Sequence, residues 1–151
     1  MSGRAQSSSD EEQIREIIRR VYQSVSGPAG RRDREMNAAL FDERACLSVM
    51  HAGEGVDHLE SLTLDAYWES RGPWLAANAF FEDEVSTTVV VTGATATAVS
   101  HYDSRTSRDE APFESGTNHF QLVRRTDGWR IVAMLWQAGI AAASIVDVQR
   151  A

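Results

Sequence analysis

The sequence contains no lysine: all 15 basic residues are arginine. Schiff-base chemistry through a lysine amine is therefore excluded. The only cysteine, Cys46, cannot form an internal disulfide, and the disulfide frameworks of small secreted domains do not apply. No apolar stretch approaches the roughly 18 residues that cross a bilayer. The N-terminus lacks the apolar core of a secretory leader, so the expected location is cytoplasmic, with no membrane partner. Positive charge is also scarce. A formal net charge of −7 argues against a nucleic-acid partner, because such binding needs clustered cations to displace counterions. The glycines form neither a G-x-G-x-x-G nor a Walker loop, so nothing points to a phosphate cradle. The arginine-only, alanine-rich composition fits a GC-rich genome and so a bacterial source.

What is present has ordinary globular proportions, with 42% apolar and 25% charged residues. A chain of 151 residues is one domain, long enough to bury about two-thirds of its unfolded surface. Residues 1–9 are small, polar and unpatterned, and are expected to be a disordered tail ahead of a single domain over 10–151. Asp10 reads as a helix N-cap with Gln13 as its capping-box partner. Ile14, Ile17, Ile18, Val21, Tyr22 and Val25 then recur at the spacing of one helical face. Arg31 to Phe41 reads as a second helix, on which Arg31, Arg32 and Arg34 are a solvated basic face interrupted by Asp33 and Glu35. Ala45 to His51 reads as a short strand, with Cys46 a small buried thiol. Ala52 to Leu62 reads as a loop. Thr63 caps a third helix running to about Ala76, which Gly72-Pro73 should break or kink.

From Asn78 the period changes to two. Phe81, Val85, Val89 and Val91 fall on one face of a long strand, and Glu82, Glu84, Ser86 and Thr88 on its wet face. After Thr92-Gly93 a second strand puts Ala96, Ala98, Ser100 and Tyr102 on one face and Val99, His101, Asp103 and Arg105 on the other. Glu114 to Arg125 and Trp129 to Gln137 are two further strands joined at Thr126-Asp127-Gly128. Residues 138–151 read as a mixed tail or short helix. Helices followed by a strand meander mean an α+β fold with an antiparallel sheet. In the last strand Trp129, Ile131, Ala133 and Leu135 occupy one face, and Val132, Met134 and Trp136 the other. Both faces are then expected to be covered, one by the helices and the other by a second copy of the chain.

The run Ser100-His101-Tyr102-Asp103-Ser104-Arg105, the segment from Pro112 to Val123, Gly128-Trp129-Arg130-Ile131-Val132 and Leu135-Trp136-Gln137 resemble the SnoaL-like branch of the nuclear transport factor 2-like superfamily. Phe41-Asp42-Glu43-Arg44-Ala45 is similar to the same group. The resemblance covers residues 10 to 137. It implies a strongly curved sheet, antiparallel or mixed, wrapped into a conical barrel around a pocket closed by the helices. Its members include ketosteroid isomerase, polyketide cyclases, scytalone dehydratase, limonene epoxide hydrolase and modules without activity. Counting past Asp42-Glu43 to the place of the ketosteroid isomerase base reaches Ser48, Val49 or Met50. Its oxyanion-hole acid falls on Thr117-Asn118-His119-Phe120. None of these is a carboxylic acid, so the resemblance carries the fold and not that mechanism.

Among the four histidines, His51 and His58 stand in a loop with Glu54 and Asp57, at a spacing that fits no standard metal site, so no metal is expected. His119 lies beside Tyr102 and Asn118, either as an acid–base group or as a structural imidazole. Alternation allows only one of Asn118 and His119 to look inward. Tyr22, Met50, Trp68, Trp74, Phe81, Tyr102, Asn118, His119 and Trp136 are the expected lining of a pocket for a small apolar or ring-shaped molecule. Two functions remain open. One is a cofactor-independent isomerase, cyclase or dehydratase. The other is a non-catalytic ligand-binding or dimerisation module, toward which the missing carboxylates weigh.

Overall fold

In the computed structural model, which describes residues 2–52 and 58–138, three helices and six strands follow one another. They are α1 (Ser2–Val25), α2 (Arg34–Ala38), β1 (Phe41–His51), β2 (His58–Leu62), α3 (Leu64–Ala77), β3 (Phe81–Thr92), β4 (Thr95–Arg105), β5 (Glu114–Arg125) and β6 (Gly128–Ala138). The strands form one sheet in the order β2-β1-β6-β5-β4-β3. Every pairing is antiparallel except β1 with β6. The fold is thus α+β, as the element order predicts, but the sheet is mixed rather than wholly antiparallel, because β1 runs parallel to β6. The sheet is curled but not closed, and β2 and β3 are its edges.

Helix α1 lies along the concave side. Ile14, Ile18, Val21, Tyr22 and Val25 are buried; the first four meet Phe120, Leu122, Trp129 and Ile131 from the sheet in one core, and Val25 packs with Trp68 and Leu75 of α3 in a second. The helix begins at Ser2, so it takes in the stretch that composition assigns to a disordered tail, and Asp10 is an interior residue, not an N-cap. Its carboxylate is drawn into the core instead. Trp129 Nε1 donates to it at 2.9 Å and Arg124 Nη1 at 2.8 Å. Those long-range bonds replace the local capping bond.

Other boundaries shift for identifiable reasons. The second helix shrinks to Arg34–Ala38, capped by Asp33, and Phe41 already belongs to β1. Arg32 is not part of a solvated face. It is buried, and its guanidinium donates to the carbonyls of Val25, Gly27, Pro28 and Leu75, tying the end of α1 to α3. Arg34 lies over the Trp68 ring at 5.3 Å. Part of the expected loop, His58–Leu62, pairs with β1 as an edge strand. Helix α3 starts at Thr63, whose side chain accepts from Ala66 N, as the sequence predicts. It runs on through Pro73. A mid-helix proline sacrifices one backbone bond, but Trp68 and Leu75, buried on either side of it, anchor both halves. Cys46 is exposed, because alternation sends its neighbours Ala45 and Leu47 into the core. The C-terminal tail beyond Ala138 lies outside the described residues.

Two β-bulges reset the faces of the sheet. The register of β3 on β4 slips between Glu84 and Ser86. Val85 becomes the extra residue and is exposed. Beyond it Thr87, Val89 and Val91 point inward. Before it, Glu82 and Glu84 pair with the inward residues Ser104 and Tyr102, so Glu82 leaves the wet face to which strict alternation assigns it. In β6 the slip falls between Ile131 and Ala133. Trp129 and Ile131 therefore share the inner face with Met134 and Trp136, and only Leu135 among the large apolar residues of the strand is exposed. The doubly apolar strand is a strand with a bulge, and it no longer requires cover on both faces.

Candidate functional site

Past the last turn of α1 the core stops being filled. A cavity of about 350 Å³ opens there, bounded by α3 on one side and the curled sheet on the other. This is within the size range of small-molecule sites. From the helical side it is lined by Leu64, Tyr67, Arg71, Trp74 and Leu75; from the sheet by Leu47, Glu82, Tyr102, Asn118, Met134 and Trp136. Most of the wall is apolar. The polar groups converge from β3, β4 and β5, where Glu82, Tyr102, Glu114 and Asn118 meet.

Glu82 is the distinctive group. It is half-buried in the cavity wall, and burial pushes its carboxyl up to about 8. A hydrogen bond from the Asn118 side chain works against that rise, and the neighbouring Glu114 and Asp83 carboxylates add to it. At neutral pH Glu82 is therefore mostly a neutral acid, able to donate a proton as well as accept one. Tyr102 and Tyr67 stand by it. Burial first, and then the Glu82 carboxyl, push both phenols above their ordinary range, so they serve as neutral hydrogen-bond donors. Tyr102 owes its position to Gly116, its partner on β5. A Cβ there would stand 2.2 Å from the Tyr102 ring and hydroxyl.

Asn118 is fixed from behind. Its Nδ2 donates to the Tyr22 hydroxyl at 3.4 Å, and that hydroxyl lies 2.6 Å from Ser100 Oγ. At the rim, Arg71 pairs with Glu60 at 3.0 Å, and Glu60 also meets His51 at 3.3 Å. Among the described residues no group of three or more His, Cys, Asp or Glu side chains converges as a metal site. His51 and His58 stack, with centroids 6.0 Å apart; Glu54 and Asp57 lie outside the described residues.

Of the residues expected in the pocket, Trp74, Tyr102, Asn118 and Trp136 line it. Tyr22 stands behind Asn118 rather than in the wall. Trp68 is buried in the seam with α2, its indole N–H donating to Asn37 at 3.1 Å. Phe81 faces the opposite way, beneath the Arg108 guanidinium at 4.6 Å, and Phe80 takes the cavity position. Met50 and His119 lie on the outer face by simple alternation, opposite Leu47 and Asn118. Of the alternatives for the pair at 118 and 119, Asn118 is the inward one. Sequence reasoning missed Glu82 and Glu114. The signal that could have found Glu82 is the acidic run Glu82-Asp83-Glu84 in a valine-rich strand, where a bulge can turn a charge inward.

No protein-family model and no curated protein matches the chain. Solved structures do. A nuclear transport factor 2-like protein with a cystatin-like fold from Novosphingobium aromaticivorans superposes with a TM-score of 0.68 at 22% identity, over 96% of this chain and 92% of that one. A proposed dehydratase of the same family from Streptomyces avermitilis gives 0.65 at 17% identity, over 89% and 99%. A proposed aromatic ring hydroxylase from Novosphingobium aromaticivorans gives 0.62 at 16%, over 85% and 88%. The fold is therefore that of the nuclear transport factor 2-like superfamily, the cystatin-like α+β architecture. In this chain the fold carries an open, carboxyl-bearing cavity.

Proposed function

We propose that the chain binds a small apolar or ring-shaped molecule in this cavity and acts on it by cofactor-independent acid–base chemistry, of the isomerase, cyclase or dehydratase kind. The observation that supports this most directly is Glu82, a carboxyl held neutral inside an apolar cavity, with the Tyr102 and Tyr67 phenols at hand. Such a group can protonate a leaving hydroxyl or a carbonyl oxygen, and can take a proton from carbon once ionised. The likeness in fold to a proposed dehydratase is consistent with this reading. The competing reading, a binding module without chemistry, draws its support from the predominantly apolar wall.

A thermal-shift screen with cyclic ketones, phenols and hydroxylated rings separates the two when followed by turnover assays on the hits. The acid–base reading expects a ligand that raises Tm and is converted by the wild type, and that Glu82→Gln still binds but no longer converts. Hits that bind and are never converted support the binding module.

We further propose a homodimer through the outer sheet face. One row across that face, formed by Ser61, Ser48, Leu135, His119, Val99 and Thr88, carries no carboxylate or arginine. Leu135 is 45% exposed and Val90, near the same row, 59%. Charge depletion of this kind marks the centre of a protein contact. Light scattering should give twice the chain mass, and Leu135→Glu should give the single mass.

A further inference from the structure

The bulge at Val85 brings two glutamates to the inner side of β3, and they end in different surroundings. Glu82 enters the cavity, while Glu84 is exposed. A continuous line of side-chain hydrogen bonds joins them. Thr87 Oγ1 donates to the Glu84 carboxylate. Thr87 Oγ1 lies 2.8 Å from Ser100 Oγ, Ser100 Oγ lies 2.6 Å from the Tyr22 hydroxyl, and Asn118 Nδ2 donates to that hydroxyl at 3.4 Å. The Asn118 side chain also bonds the Glu82 carboxyl. Ser100, Tyr22 and Asn118 are all buried.

The chain can run in one direction only. A carboxylate offers acceptors and no donor, and each hydroxyl has a single proton to give. Thr87 spends its proton on Glu84, so its oxygen must accept from Ser100. Ser100 must then accept from Tyr22. The Tyr22 proton is thereby committed, and its oxygen is left to accept from Asn118. Asn118 must present its NH₂ end, which leaves its second N–H for Glu82.

We infer that the exposed Glu84 carboxylate is a positioning residue for the cavity-lining Glu82, acting through Thr87, Ser100 and Tyr22 to lock the Asn118 amide as a donor toward the cavity. The inference rests on the reading of Glu82 as the working group of the cavity. Its chemical consequence is specific. An amide locked as donor supports the ionised carboxylate, whereas a flipped amide would offer its oxygen to the neutral acid and hold the proton on. Glu84 thus keeps the cavity acid able to release its proton. The other ionisable groups bearing on Glu82 are Tyr22 on α1, Tyr67 and Arg71 on α3, Tyr102 on β4, Glu114 on β5 and its neighbour Asp83. None of them fixes the amide end of Asn118 except through Tyr22.

The test is an NMR titration of the full chain, following the Glu82 carboxyl carbon and the Asn118 side-chain amide in the wild type, Thr87→Val, Glu84→Ala, Glu84→Gln and the off-chain control Glu69→Ala. The expected result is a Glu82 midpoint raised by roughly half to one pH unit in Thr87→Val and Glu84→Ala, with displaced Asn118 amide signals. Glu84→Gln, which keeps an acceptor oxygen, should recover most of the wild-type behaviour, and Glu69→Ala all of it. Glu84 is exposed, so its variants keep the test alive if Thr87→Val fails to fold. Unmoved Glu82 and Asn118 signals in folded Glu84→Ala overturn the inference. A wild-type Glu82 that titrates in the ordinary carboxylate range, with the differences between variants intact, sinks the acid–base reading and upholds the chain.

Discussion

Asp10 and Glu82 are both carboxyls taken out of water, and they end in opposite protonation states. Asp10 lies at the filled end of the core. Burial alone would raise its proton affinity, but bonds from Trp129 and Gln6 and the Arg124 guanidinium outweigh it, and the group sits below its ordinary range. Glu82 lies at the open end. It faces the same penalty with one amide donor and, among the described residues, no cation within ion-pair distance, and beside further carboxylates. Full satisfaction makes Asp10 a structural anchor that holds a permanent charge. Partial satisfaction leaves Glu82 with a proton to exchange, beside space for a ligand. The number of donors supplied, not burial as such, separates the group that holds the fold from the group fitted for chemistry.

The largest effect should come from breaking the anchored side. Asp10→Ala leaves the Trp129 N–H and the Arg124 guanidinium without their acceptor and should cost about 3–5 kcal/mol in urea unfolding at neutral pH. Asp10→Asn should cost less, and it should flatten the acid limb of the stability profile. A depressed native value means the Asp10 contribution is present above the unfolded value near 3.8 and is lost as pH falls through the native value.

Next in size is Glu82→Gln, with the opposite sign. Glu82 binds its proton up to about 8 in the native state against 4.5 in the unfolded chain. The unfolded state therefore holds fewer protons between those values, and stability falls as pH rises through that window. Glu82→Gln should remove this fall and leave the variant more stable than wild type at pH 9, by a few kcal/mol. Equal slopes for the two proteins between pH 5 and 8 would contradict the assignment.

Gly116→Ala sharpens the contrast on the cavity side. The new methyl must displace the Tyr102 ring, costing about 1–3 kcal/mol by overpacking and abolishing any ligand-induced rise in Tm. The smallest effect on stability should come from the outer face. His119→Ala should leave cavity binding intact and, in the single-chain Leu135→Glu background where no dimer contact is at stake, change unfolding by no more than about 0.5 kcal/mol.

Much of the architecture is legible in the residue order. The helical face from Ile14 to Val25, the Thr63 cap, the hairpin at Gly93, where the backbone turns at φ +59°, and the inward set Ala96, Ala98, Ser100 and Tyr102 all follow from period and turn chemistry. What alternation could not deliver lies beyond two irregularities. A bulge adds one residue and inverts every assignment on its far side. Val85 does this to Glu82, and Val132 does it to Met134 and Trp136. Strict alternation therefore makes the acidic group of the cavity a solvent-facing one and gives the last strand two apolar faces. For the same reason strict alternation sends Phe81 inward, whereas the structure turns it out and sets Phe80 at the cavity. The helical character of Ser2–Ser9 is hidden because that stretch has no apolar face to show, and Asp10 has the residue type of a cap.

The chemistry of the cavity turns on the state of one carboxyl. Selective ¹³C labelling of glutamate, with Glu82→Gln identifying the resonance, gives the Glu82 titration directly. The account predicts a midpoint near 8, with the group still largely protonated at neutral pH. A midpoint in the ordinary carboxylate range would mean that Glu82 meets water or a cation in solution, and the neutral acid at the base of the cavity would not exist.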